Sequence, residues 1–320
     1  MLAFPGRPAI MSLMRKALLA GSTSPWLRRQ ATRREFVRRS VSRFMPGERM
    51  EDALEAAARL KQEGITTILT HLGENLSRVG EAEEVAQHYL TLIERVSASG
   101  LDAQISVKPT QLGLDLDPAL CQRHLDHLVD RAAALGNFVW IDMESSPYVD
   151  PTLQLFRAAR ARSRKVGIAL QAYLRRTSKD LEELLPLGCA IRLVKGAYLE
   201  PASVAFPVKR DVDENFYRLA CRLLGAEGQK HGTLAHIGTH DGALIERLEG
   251  FIALNTVPPQ TYEIAMLYGI QRSLQQRLVS SGRRLRVLIS YGEYWFPWYM
   301  RRLAERPANV MFVVRNVLNR

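Results

Sequence analysis

From residue 65 onward the chain alternates between short apolar, β-branched runs and longer stretches whose apolar residues recur at helical spacing. The short runs are ITTILTHLG (65–73), AQISVKPT (103–110), FVWIDME (138–144), VGIALQAY (166–173), AIRLVKGAY (190–198), LAHIGTH (234–240), TYEIAML (261–267) and RVLISYG (286–292). Between them lie amphipathic segments such as EAEEVAQHYLTLIERVSAS (81–99), ALCQRHLDHLVDRAAALG (119–136) and DENFYRLACRLLGAEGQK (213–230), and a last helix starts near Pro297. The strand centres are almost continuously apolar, as in parallel strands covered on both faces. Polar residues gather at their C-terminal ends: Lys108, Asp142, Gln171, Lys195, Tyr198 and His240. Eight βα units in series, each ending in polar residues, predict a single (β/α)8 TIM-type barrel with its site at that rim. A doubly wound sheet would usually carry a glycine-rich phosphate fingerprint after its first strand, and neither GxGxxG nor GxxxxGK[ST] occurs.

Residues 1–64 stand apart as a basic N-terminal helical arm, leaving 65–320 as the barrel. MEDALEAAARLKQEG (50–64) reads as an amphipathic helix. Upstream, eight arginines between Arg28 and Arg49 face only Glu35 and Glu48, with Trp26, Phe36, Val37 and Phe44 interleaved. That stretch alone therefore carries +6 of the net charge of +11. That pattern suits loose contact with an anionic membrane leaflet, or packing across the barrel. It carries neither a nucleic-acid motif nor a stacking platform, so nucleic acid is not an expected partner.

Three widely spaced cysteines (Cys121, Cys189, Cys221) offer no disulfide framework and read as small core residues of a protein in a reducing compartment. No run of about 18 apolar residues exists, and the opening segment lacks the basic n-region and cleavage site of a signal peptide. Met11 is an alternative start. The expectation is a cytoplasmic protein, with peripheral contact at the inner face of the membrane as the arm's further implication.

Several residues suit chemistry at the rim. In WFPWYMRRLAERPANV, Arg301 and Arg302 precede Glu305 by four and three residues, so on a helix one carboxylate can brace two guanidinium groups. Two braced guanidinium forks match the oxygens of a substrate carboxylate; a solvated surface pair is the plainer reading of that segment alone. Asp142 and Glu144 end the third predicted strand, where either could act as a base, ligate a metal or pair with Lys108 on the neighbouring strand. Gly196 allows a ligand to approach the backbone closely. The spacing of His231, His236 and His240 matches no common metal pattern, and no metal is expected. No nucleophile elbow is present.

Taken together, HLGE (71–74), ISVK (105–108), IDME (141–144), QAY (171–173), RLVKGAY (192–198), THD (239–241), YEIAMLYG (262–269) and YMRRLAERPAN (299–309) resemble, in order, the motifs of the proline dehydrogenases, most closely the bacterial single-function members. The resemblance spans nearly the whole chain from about residue 35. It implies a distorted (β/α)8 barrel that holds FAD without a Rossmann domain and oxidises L-proline to Δ1-pyrroline-5-carboxylate, with electrons passed to a membrane quinone. The resemblance further implies that Arg301, Arg302 and Lys108 bind the substrate carboxylate, that Asp142 pairs with Lys108, and that Glu305 braces the arginines beside the cofactor. Ala197, Tyr198 and Leu267 would line the substrate pocket, while Gln171, Arg192, Val194, Lys195, Gly196, Ala197, Thr239 and His240 would hold the flavin. A separate pyrroline-5-carboxylate dehydrogenase would take the product, since the chain ends at Arg320. Two positions depart from the family. Leu288 stands where a tyrosine usually lies four residues before the glycine that is here Gly292, and Trp298 stands three before Arg301 where a tyrosine is common. The first departure leaves a sister activity on a substituted proline such as 4-hydroxyproline open, and a non-catalytic binding module is a third reading.

Overall fold

The computed structural model describes Ser24, Val37 and residues 41–73 and 76–305, the last five as backbone only. The chain enters through α1 (Met50–Gln62) and then alternates strand and helix. In order these are β1 (Thr66–His71), α2 (Val79–Ser99), β2 (Ala103–Val107), α3 (Pro118–Ala134), β3 (Val139–Ile141), α4 (Val149–Arg162), β4 (Val166–Gln171), α5 (Thr177–Leu184) and β5 (Ala190–Val194). There follow α6 (Lys209–Leu224), α7 (Ala226–Lys230), β6 (Leu234–Gly238), α8 (Gly242–Leu254), β7 (Tyr262–Leu267), α9 (Arg272–Ser280), β8 (Leu285–Tyr291) and α10 (Trp295–Glu305). All eight strands pair in parallel and in sequence order, and β8 closes the sheet onto β1 from Thr66↔Arg286 to His71↔Tyr291.

Each predicted strand is present, and the differences lie at the ends. β2, β3, β5 and β6 stop two to four residues short of their apolar runs. The rim residues Lys108, Asp142, Lys195 and His240 therefore sit just past the pleat, where side chains are free to turn toward the barrel axis. Gly196 marks one such exit: its φ of +113° is a left-handed value, and a Cβ there would meet the Tyr173 ring at 2.2 Å. The stretch 213–230 forms two helices rather than one. The break falls at Gly225, whose extended backbone separates α6 from α7.

Strand faces that point outward pack under the helices in one continuous apolar core running from α1 around to β8. Inside the N-terminal end of the barrel lies a charged cluster. The Glu263 carboxylate accepts from Arg286 Nε at 2.5 Å and is bonded by Arg284, while Arg286 also reaches Thr67 O and Asp102, both at 3.1 Å. A paired, hydrogen-bonded set of this kind satisfies charges that burial would otherwise penalise.

The described part of the arm packs on the barrel. Val37, Val41 and Met45 form a second apolar cluster with Leu72, Trp295, Phe296, Trp298 and Tyr299, against which Phe44 is packed. The backbone around Arg43 presses onto the β7–α9 turn, so that a Cβ at Gly269 (φ +73°) would lie 1.6 Å from Arg43 O. Glu48 accepts from the Trp295 indole at 2.8 Å. Of the two readings of the arm, Val37 and Phe44 follow packing across the barrel; Trp26, Phe36 and most of the arginines lie outside the described residues. No helix among the described residues is long and apolar enough to cross a membrane.

Candidate active site

At the C-terminal mouth of the barrel is a cavity of about 640 Å³. Its floor and walls come from alternate residues of the strands, because a period of two sends every second side chain inward. Lys108 and Asp142 stand on one side, Gln171, Arg192 and Val194 on the next, and the loop Lys195–Tyr198 beyond them. Thr239, His240, Leu267, Leu288 and Trp298 complete the ring. Every rim candidate whose side chain is described, Glu144 apart, lines this one cavity. For Arg301, Arg302 and Glu305 the backbone of α10 is described and the side chains are not.

The pairing expected of Asp142 with Lys108 is present on the charged floor, and two closer donors join it. Lys108 Nζ lies 3.8 Å from Asp142 Oδ2, a loose ion pair. The direct partners are Arg192, whose Nη2 donates to Asp142 Oδ1, and Ser106, whose hydroxyl donates to the same oxygen at 2.9 Å. Burial pushes the Arg192 pKa down and the Asp142 charge pushes it back up. Arg192 still leaves Nη1 without a hydrogen-bond partner, and Gln171, which donates to Met143 O at 3.1 Å, leaves Oε1 without one. These are a buried donor and a buried acceptor, both unsatisfied, on residues that line the cavity, and a bound group nearby is one explanation for such atoms.

On the opposite wall, His240 Nε2 accepts the Leu267 N–H at 2.8 Å. That bond requires a bare Nε2 and so leaves Nδ1 as the protonated nitrogen of a neutral ring. Lys195 is held by Asp213 and, at 3.0 Å, by Asp241, which also caps α8 by accepting from Leu244 N. Burial opposes ionisation of Asp241, yet the Lys195 hydrogen bond and charge hold its pKa below the ordinary value. Lys209 joins this cluster through Asp213.

Glu144, a candidate base or metal ligand from the sequence, is turned away from such work. It accepts from the Thr110 backbone at 3.0 Å and the Thr110 hydroxyl at 2.6 Å, fixing the loop after β2. His236 is buried inside the barrel 3.4 Å from Glu263, whereas His240 is at the rim, so the two are separated along the axis. Sequence reasoning passed over Ser106, Lys209, Asp213 and Asp241. Of these, the Lys209–Asp213 pair carried a legible signal, since the two are four residues apart on one helix.

Behind the rim, the His71 ring packs at a tilt against His88 with ring centroids 4.4 Å apart, and His88 bonds the Tyr291 hydroxyl at 2.8 Å. Burial, then the neighbouring His88 and Lys108 charges, lower the His71 pKa to about 4. The unfolded chain therefore takes up a proton at His71 near pH 6.5 while the folded chain does not, so stability falls as pH drops through that range and levels off near pH 4. The expected loss is about 3 kcal/mol at most, at 1.36 kcal/mol per pKa unit. Urea unfolding from pH 7 to 4 should show a shallower slope for His71→Gln; an unaltered slope would remove His71 from the account.

A (β/α)8 barrel whose catalytic end carries a cofactor-sized, positively charged cavity is a class of enzyme rather than one activity. The comparisons narrow it. The chain belongs to the proline dehydrogenase family: the family model described as "Proline dehydrogenase" matches residues 53–315. It is 36% identical over 314 residues to "Proline dehydrogenase" of Deinococcus radiodurans, covering 97% of this chain and 99% of that one. It is also 36% identical over 284 residues to "Proline dehydrogenase 1" of Bacillus subtilis strain 168, covering 88% and 92% of the two chains. The fold is similar to that of proline utilization A from Bdellovibrio bacteriovorus, solved after inactivation by N-propargylglycine. That match has a TM-score of 0.78 at 22% identity and covers 83% of this chain. This chain spans about a third (32%) of that much longer protein.

Proposed function

We propose that this chain oxidises L-proline to Δ1-pyrroline-5-carboxylate, with FAD in the rim cavity as first electron acceptor and a quinone as the second. The observation that carries this reading is the unsatisfied Arg192 Nη1 and Gln171 Oε1, one donor and one acceptor on residues facing the same cavity in a member of this family. A flavin ring presents both complementary kinds of group along its polar edge, so the residues present fit it. When bound, FAD supplies the two-electron acceptor for hydride leaving the substrate carbon.

The chain's own residues then have separable tasks. Lys108, with the cations at positions 301 and 302, would bind the substrate carboxylate and fix the ring's orientation, which turns the reaction into an oriented, effectively unimolecular step. Positions 301, 302 and 305 fall three, four and seven residues after the cavity-lining Trp298, the spacing of one helix face. Crowding of cations around the site lowers the pKa of the substrate amine, so the amine sheds its proton without a dedicated base. Arg192 would stabilise negative charge gained by the cofactor. Lys195, Gly196 and Val194, with Thr239 and His240, would hold the remainder of FAD. Ala197, Tyr198 and Leu267 would close over the proline ring and exclude water.

Anaerobic titration of the purified chain with L-proline tests this: the flavin absorbance band should bleach, and a bound flavin left oxidised by proline would sink the substrate assignment. Leu288 favours a second reading. It lines the cavity beside Leu267, its Cα partner across β7–β8, and offers an apolar wall without a hydroxyl. Turnover of 4-hydroxyproline is accordingly expected alongside proline. Leu288→Tyr should raise the proline-to-hydroxyproline ratio of kcat/KM about tenfold, the scale of one altered pocket contact; an unchanged ratio would show that position 288 does not discriminate. Access to a membrane quinone is assigned to peripheral contact through the basic arm, and product removal to a separate pyrroline-5-carboxylate dehydrogenase.

A further inference from the structure

Beneath the cavity, Trp140 occupies the barrel axis in a setting that its strand alone does not explain. The indole is completely buried, and its Nε1 donates to Gln104 Oε1 on β2 at 2.6 Å. The Arg192 guanidinium carbon lies 5.2 Å from its ring centroid, and the His236 and Phe138 rings pack against it with centroids 4.4 and 5.2 Å away. The adjacent strand makes room for it: a Cβ at Gly167 would come 2.7 Å from the indole Cζ3. A cation held against an aromatic face in a dry interior is attracted to it and, as important here, cannot fall into the space the ring fills.

Arg192 is fixed at its other side by Asp142 and by Ser106 Oγ, to which Nη2 also donates at 3.0 Å. Those bonds engage one nitrogen only. The plane of the guanidinium, and hence the place of its unpartnered Nη1, is left for the indole to set.

From this geometry we infer that Trp140 is a positioning residue. Tethered by Gln104, it supports Arg192 from below and thereby raises the reduction potential of the cofactor that Arg192 faces. The inference rests on the reading that Arg192 faces FAD, and the experiment separates the two. Midpoint potentials are measured on the FAD-loaded full chain. Arg192→Met is expected to lower the potential, since a nearby cation favours the more negative, reduced form. Trp140→Leu is expected to lower it in the same direction, by about a tenfold loss in preference for the reduced form, or about 30 mV for a two-electron couple. Trp140→Phe, which keeps an aromatic face, should recover most of that loss, and Trp140→Leu should add nothing in the Arg192→Met background. Gln104→Met frees the indole N–H while leaving the ring in place; it should give a smaller drop and serves if the leucine variant does not fold. A potential that moves with Arg192→Met but not with Trp140→Leu or Gln104→Met overturns the positioning role alone. A potential indifferent to Arg192→Met overturns the placement of Arg192 and the inference with it.

Discussion

Asp142→Ala is expected to abolish most activity and to destabilise the fold. The carboxylate is the shared counter-charge of two cations, bonded by Arg192 and 3.8 Å from Lys108, with side chains that are 5% exposed for Arg192 and 12% for Lys108. Removing one partner of such a set leaves the others as uncompensated buried charge, which costs about 3–5 kcal/mol when the site is fully dry. Asp142 is itself 19% exposed, so the lower end, about 3 kcal/mol, is the expected loss in urea unfolding. Activity should fall further than stability. Arg192 and Lys108 lose their common anchor, and a displacement of the order of 1 Å at a substrate-orienting group costs about a hundredfold in kcat/KM. Asp142→Asn should keep part of the stability, because the amide oxygen still accepts from Ser106 and Arg192. A variant that unfolds within about 0.5 kcal/mol of the parent would show that the cluster is already solvated.

Arg301→Met should raise the KM for proline about a hundredfold while leaving bound flavin in place. On the proposed reading the substrate carboxylate lies among Lys108 and the cations of α10, and the loss of one charge-assisted partner there costs a few kcal/mol. The expectation rests on helix spacing: position 301 is one turn beyond Trp298, which lines the cavity, in a helix secured to the arm by the Trp295–Glu48 bond. Steady-state kinetics against proline decide it. A KM within twofold of the parent would move the carboxylate-binding role from Arg301 to its neighbours.

Composition and the alternation of apolar runs determined the architecture. Eight buried parallel strands need eight continuous apolar segments, and segments such as VGIALQ and AIRLV admit little else once helical periodicity fills the gaps. The rim was legible for the same reason. Polar side chains at the ends of otherwise apolar strands have nowhere to go in a barrel except the mouth, and the motif order around them is that of one family. The arm was legible only as a charge pattern: that Val37 and Phe44 pack on α10 depends on a surface assembled from residues some 250 positions away.

What only the tertiary structure decided is the pairing inside the barrel. The sequence brings Lys108 and Asp142 onto adjacent strands, and short-range reasoning couples them. Closure of the sheet also aims Arg192 from β5 and Ser106 from β2 at the same carboxylate, which they bond directly while Lys108 stays 3.8 Å away. Trp140 likewise reads as one more apolar residue in FVWIDME. Its contact with Arg192 exists because inward-facing side chains from non-adjacent strands meet on a common axis. Strand neighbours follow from order along the chain, but axial neighbours follow from the register and tilt of a closed sheet, to which all eight strands contribute at once.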